Sequence, residues 1–272
     1  MYKVMRKDDS KIFVLKLGEE NASDSDKEKV RGESALLAAI NSEYLVNCEE
    51  IYEFQSRLFV FLDYMEGGSL SKFINDYYKH YSEDTLKYMV FMSAMGIKSL
   101  HDRNVLHRDI KSDNVLCRPQ SGEIKLADLG LAVFLTENQN WRKTRQGTTN
   151  WISPEIVNGV IYSKEVDIWA YGAMLHEMGK GEPPFMEHLR NEDRLFEAIA
   201  NAAVDPVDIS DRTNISEGFN ELMMSCFKVN PSDRPTIDQI LAHPYLAGGQ
   251  DPETRNQWKE SWIEDYRRYD FL

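Results

Sequence analysis

The run His107-Arg108-Asp109-Ile110-Lys111-Ser112-Asp113-Asn114, followed fourteen residues after Asn114 by Asp128-Leu129-Gly130, constrains this chain more than any other stretch. It sets an acid, a cation and an amide, then a second acid, on two adjacent turns. That set suits phosphoryl transfer, in which a protein mainly positions groups and balances charge. Asp109 can accept a hydroxyl proton, and Lys111 can steady the moving phosphoryl oxygens. Asn114 and Asp128 offer hard oxygen ligands to magnesium, which takes few protein oxygens and completes its shell with phosphate and water.

The 272 residues suffice for one large domain or two lobes, with ample core to fold without staples. Apolar residues at 42% and charged residues at 28% describe a soluble globular protein. No run of about 18 apolar residues appears and the N-terminus lacks a basic-then-apolar signal, so no membrane insertion is expected and the chain is placed in the cytoplasm. Cys48, Cys117 and Cys226 are far apart and outside any C-x-x-C spacing, which predicts buried apolar thiols. A net charge of -13 repels nucleic acid and anionic lipid, and is compatible with a basic protein substrate.

Along the chain, Tyr2 to Arg6 and Lys11 to Leu17 read as strands around the turn Lys7-Asp8-Asp9-Ser10. Residues 18–29 read as an acidic surface loop, and a helix then begins near Lys27 with Leu36, Leu37 and Ile40 at helical spacing. Glu50 to Phe54 and Leu58 to Asp63 are further strands, and Gly67-Gly68 marks a flexible crossing. Ser82 followed by Glu83 and Asp84 starts a capped helix that delivers the chain to the Asp109 loop. Val115 to Cys117 and Ile124 to Leu126 form a hairpin around Ser121-Gly122, placing Asp128 just past a strand end. Residues 131–150 are a polar loop too long for a mere connection. Asp167 to Gly172 opens a helix apolar nearly all round, the sign of burial. Helices are also expected over Leu195 to Ala203 and Phe219 to Phe227. In the tail, Trp258, Trp262, Ile263, Tyr266 and Tyr269 are spaced for one helical face. That face is expected to pack on the preceding lobe; a docking helix for a tail-binding partner is the other reading.

The stretch around Asp109 resembles the catalytic loop and metal-binding turn of eukaryotic protein kinases, H-R-D-x-K-x-x-N and D-F-G, with Leu129 where Phe is usual. The resemblance covers residues 2–246 and implies an α+β, bilobal kinase fold. It divides the chain into a truncated β-rich N-lobe (1–62), a hinge (63–68), a mainly helical C-lobe (69–246) and a helical tail (247–272). It implies ATP and Mg2+ as cofactors, and a protein substrate presenting Ser or Thr in intracellular signalling. In the family the position of Lys16 holds the ATP phosphates, and Glu33 fixes that lysine's direction. Val14 replaces the Ala against which adenine usually packs, so a tighter pocket is expected. Leu62 is the gatekeeper, the backbones of Asp63 and Met65 face adenine, and Leu116 is its floor. Asp109, Lys111 and Asn114 are catalytic by the same resemblance, with Asn114 and Asp128 on magnesium.

Gly147 to Glu155 resembles the activation-segment end G-T-P-x-W-x-A-P-E, with Thr149 for Pro and Ser153 for Ala. The resemblance implies that Thr148 bridges Asp109 and Lys111, that Asp167 braces the catalytic loop, and that Arg234 pairs with Glu155. Thr144 falls on the usual site for an upstream kinase, where Arg108 would grip the phosphate. Lys111 with Gly147-Thr148 marks the Ser/Thr type. H-R-D-I-K-S-D-N, G-G-S-L and G-E-P-P-F together look most like the sterile-twenty (PAK-like) group. One family part is absent: nothing upstream of Lys16 contains G-x-G-x-x-G, and Gly18 is the first glycine. Either the protein works without that loop, or another form supplies it. A pseudokinase or scaffold that binds nucleotide or partners with little turnover is the alternative.

Overall fold

Alternating apolar residues build a four-stranded antiparallel sheet from β1 (Tyr2–Met5), β2 (Ile12–Leu17), β3 (Cys48–Phe54) and β4 (Arg57–Asp63), in the order β1-β2-β4-β3. The computed structural model describes residues 1–18, 31–32, 36, 39–55, 57–136, 141–143, 147–148, 151–208 and 215–270. Val14 lies opposite Leu62 and Lys16 opposite Val60, so the two-residue strand period puts all four on one face. The opposite face carries Leu15 against Phe61 and Leu17 against Phe59. Residues 39–40 are helical, and Leu36 and Ile40 are buried.

Past the sheet come β5 (Gly68–Ser69), α1 (Leu70–Tyr77), α2 (Glu83–His101), β6 (Val105–Leu106), β7 (Val115–Arg118), β8 (Glu123–Leu126) and β9 (Val133–Phe134). Then follow α3 (Pro154–Val157), α4 (Glu165–Lys180), α5 (Glu192–Ala200), α6 (Glu217–Cys226), α7 (Ile237–Leu241) and α8 (Pro252–Asp270). β5, β7 and β8 make a small sheet, and β6 pairs with β9 across residues far apart in sequence. The other expected strands and helices are present with ends shifted by a few residues, while the expected acidic loop and the helix start near Lys27 lie outside the described residues. Helix α1 was not expected.

Helix α2 starts at Ser82, whose side chain accepts from the Thr85 N–H, with Glu83 and Asp84 in its first turn. Both features favour the positive end of a helix. Helix α4 is buried from Val166 to Gly179 and stops at Gly181, whose φ of 85° is the left-handed C-cap conformation. These two helices carry much of the core, with Leu86, Met89, Val90, Trp169, Tyr171 and Met174 fully enclosed.

One expectation, that all three cysteines are buried, needs correction. At the Gly67-Gly68 crossing, Gly68 pairs with Cys117 in a strand ladder, and a Cβ on Gly67 would lie 2.7 Å from Cys117 Sγ. The glycine is there for close approach. Of the three free cysteines, Cys117 and Cys226 are buried, while Cys48 is only half-buried; it sits where the β3–β4 register shifts at an edge strand. Among the described residues no helix is long and apolar enough to cross a membrane.

Candidate active site

Asp167 on α4 organises the loop that carries Asp109. Its carboxylate accepts from the backbone N–H of His107 at 2.9 Å and of Arg108 at 2.8 Å, and from His101 Nε2 at 2.9 Å. Burial alone would raise its pKa, but the His101 bond and the loop N–H groups outweigh burial and hold Asp167 below the ordinary carboxylate range. Arg108 sits at a φ of 67°, an unusual value for a residue with a side chain, and the Asp167 bonds keep it there. His107 is fully buried; its Nδ1 accepts from the Asp109 N–H at 3.2 Å, so Nε2 donates to Ala127 O at 3.0 Å. That imidazole ties the Asp109 turn to the residue before Asp128.

The loop so fixed brings the three central residues together. Asp109 Oδ1 accepts from Thr148 Oγ1 at 2.7 Å, and Oδ2 accepts from Asn114 Nδ2 at 2.9 Å and lies 2.9 Å from Lys111 Nζ. Lys111 Nζ also donates to Thr148 Oγ1 at 2.8 Å. The expected Thr148 bridge is thus present. Burial pushes the Asp109 carboxyl up, yet the bonds from Lys111, Thr148 and Asn114 prevail and hold it below its usual value. Asp109 is therefore a carboxylate at neutral pH.

Asn114 uses its amide nitrogen on Asp109, which turns Oδ1 away from that carboxylate. Its backbone carbonyl accepts from the Ala127 N–H at 2.8 Å, so Asp128 follows directly on a residue bound to Asn114. Asp128 is exposed and left-handed, with φ of 61°, and Oδ1 accepts from Gly130 N–H at 3.3 Å. Aspartate tolerates this conformation better than most residues. An amide oxygen and an exposed carboxylate are the hard donors magnesium prefers.

On the sheet side, Met65 packs with Val46 and Ala127, and Leu62 and Leu116 close around them. Val14, opposite Leu62, shares their face with half-buried Lys16. The Asp63 N–H donates to Asn47 O at 3.0 Å, and Met65 O accepts from Gly68 N–H at 3.1 Å. Apolar side chains from both sheets thus gather beside the backbone of residues 63–68. Glu33 and Thr144 lie outside the described residues.

Three contacts here were not anticipated. Lys125 Nζ lies 3.0 Å from Asp63 Oδ2, which also accepts from Asn47 Nδ2 at 3.2 Å, joining β8 to the end of β4. The signal was a lysine set between Ile124 and Leu126, two buried apolar residues. Ser112 Oγ donates to buried Glu177 at 2.6 Å, and His107 links to Ala127 as above. Neither has a sequence signal beyond its place in the run or on an apolar helix. The expected Arg234–Glu155 pair is bidentate, at 2.6 and 2.7 Å, and buried.

A profile described as the protein kinase domain matches residues 1–246. Serine/threonine-protein kinase SKM1 of Saccharomyces cerevisiae is 33% identical over 236 residues, covering 84% of this chain and 35% of that protein. Serine/threonine-protein kinase shk1/pak1 of Schizosaccharomyces pombe is 33% identical over 220 residues, 81% of this chain and 32% of its own length. Serine/threonine-protein kinase pakC of Dictyostelium discoideum is 32% identical over 216 residues, 79% of this chain and 44% of that protein. The chain thus spans well under half the length of these curated relatives.

Proposed function

The chain belongs to the protein kinase family, and from that premise we propose that it transfers the γ-phosphate of ATP to Ser or Thr hydroxyls of a cytoplasmic protein substrate. One observation carries the reading: Asp109, Lys111, Asn114 and Thr148 form a closed set of contacts between 2.7 and 2.9 Å. A set this mutually bonded is preorganised and needs no rearrangement at the moment of reaction.

Asp109 orients the incoming hydroxyl and accepts its proton. Thr148 and Lys111 hold the carboxylate in place, and Lys111 balances charge on the transferred group. Lys16, directed by Glu33, holds the phosphates. Asn114 Oδ1 and Asp128 would hold magnesium. The Asp63 carbonyl and the Met65 N–H would read the base edge, with Val14, Leu62 and Leu116 enclosing its faces. When bound, ATP would supply the phosphoryl group and magnesium would neutralise the charge that develops on it.

The test is transfer from magnesium-ATP to a generic basic Ser/Thr protein, by this chain beside Asp109→Asn. The rate is expected to fall by about 10² to 10⁴ in the variant. Equal rates would overturn the assignment of Asp109. Nucleotide binding with no transfer by either chain would favour the scaffold reading.

A further inference from the structure

The aromatic face of α8 is occupied within this chain, and it meets Phe73 and the Gly67 backbone beside the hinge. Phe73, on the helix that begins directly after the hinge, has Trp262 at 4.9 Å, Tyr266 stacked at 5.3 Å and Tyr269 edge-on at 5.3 Å between ring centroids. Tyr266 also touches Trp262 and Tyr269, at 5.3 and 5.6 Å. Rings packed on three sides fix where the phenol hydroxyl points. It points at the hinge and donates to Gly67 O at 3.1 Å.

That carbonyl belongs to the peptide plane whose other end, the Gly68 N–H, donates to Met65 O at 3.1 Å. Gly67 N–H donates to Cys117 O at 3.0 Å, next to Leu116. A peptide plane is rigid, so turning the Gly67 carbonyl away from Tyr266 must also disturb the bond to Met65. A Cβ on Gly67 would lie 2.7 Å from both Cys117 Sγ and Pro119 Cδ, so only glycine lets the backbone come this close to the hairpin. Tyr266 and β7 therefore hold Gly67 from two sides.

We propose that Tyr266 is a positioning residue for the nucleotide site. Through the Gly67–Gly68 peptide it sets the backbone edge at Met65 that reads the base. This inference rests on the nucleotide site described under Proposed function and assigns the tail a part in it. If the tail only added stability, removing its bond to Gly67 would lower the melting temperature and leave nucleotide affinity alone.

The experiment is direct titration of magnesium-ATP into the full chain and its Tyr266→Phe and Tyr269→Phe variants, with thermal melts and KM and kcat for ATP. Tyr266→Phe keeps the ring and removes the hydroxyl, which also bonds the Cys117 side chain. Its Kd and KM for ATP are expected to rise about two- to fivefold, the ceiling being the value of one neutral hydrogen bond, with kcat within about twofold. Tyr269→Phe removes a donor to Asp76 Oδ2 on the same cluster, away from the hinge, and is expected to bind ATP like the parent. If the parent binds ATP and Tyr266→Phe binds it equally well, the inference is overturned and the nucleotide site stands. If both variants weaken binding alike, the role is merely structural and the inference also fails. A parent chain that binds no nucleotide overturns the functional reading beneath it.

Discussion

Glu177 lies on α4 behind the catalytic loop, 3% exposed. Burial pushes its carboxyl up to about 7; the Ser112 bond pulls it back and the Asp113 charge pushes it further up. With the folded value above the ordinary 4.5, the folded protein holds an extra proton between those limits. Stability is then full below about pH 4.5 and falls as pH rises through 7. We expect Glu177→Gln to abolish a loss on the order of 2 to 3 kcal/mol between pH 5 and pH 8. Urea unfolding at both pH values measures it; parallel curves for parent and variant would refute the assignment. The clustering of Asp109, Lys111 and Asn114 was legible in the sequence because they fall in one contiguous run. Glu177 and Lys125 were not, because each meets its partner from 65 or 62 residues away, and a carboxylate or lysine in a string of letters does not announce its burial.

Helix α2 has two caps, one local and one remote. Ser82 is the local one and was readable from its neighbours. The remote one is Asp265 of α8, whose Oδ2 accepts from Ser82 N–H at 2.7 Å, Ser82 Oγ at 2.9 Å and Thr85 Oγ1 at 2.7 Å. Asp265 is 3% exposed, and a carboxylate at a helix N-terminus also meets the positive end of the dipole. Asp265→Ala leaves three donors without their acceptor. A loss of about 3 kcal/mol, roughly 6 to 12 °C in melting temperature, is expected; a melt within about 2 °C of the parent would contradict it. The apolar face of α8 was visible in its spacing, but its receiving surface was not. Helix α1, which supplies Phe73, has no side-chain cap at Ser69, no acid in its first turn and no base in its last. Without those signals, eight residues beside a double glycine read as loop.

At the scale of the molecule, Arg234 and Glu155 join α3 to the segment before α7. The guanidinium also donates to the carbonyls of Lys228 and Glu165, and stacks over Trp169 at 5.1 Å. Arg234→Met leaves a buried carboxylate uncompensated, a loss of about 3 to 5 kcal/mol. Adding Glu155→Gln should recover part of that loss and not all, because the carbonyls remain without their donor. Chemical denaturation of the single and double variants separates the two contributions, and no recovery in the double variant would refute charge as the main cause.

The tail's bonds to Ser82, Asp76 and Gly67 span 183, 193 and 199 residues. During synthesis at about 5 to 20 residues per second, the hinge and the start of α2 leave the ribosome roughly ten to forty seconds before the side chains that complete them. For that interval Phe73 lacks three of its aromatic neighbours, and an apolar face stands open to chaperones. Side chains translated late in this domain close a structure begun nearly two hundred residues upstream.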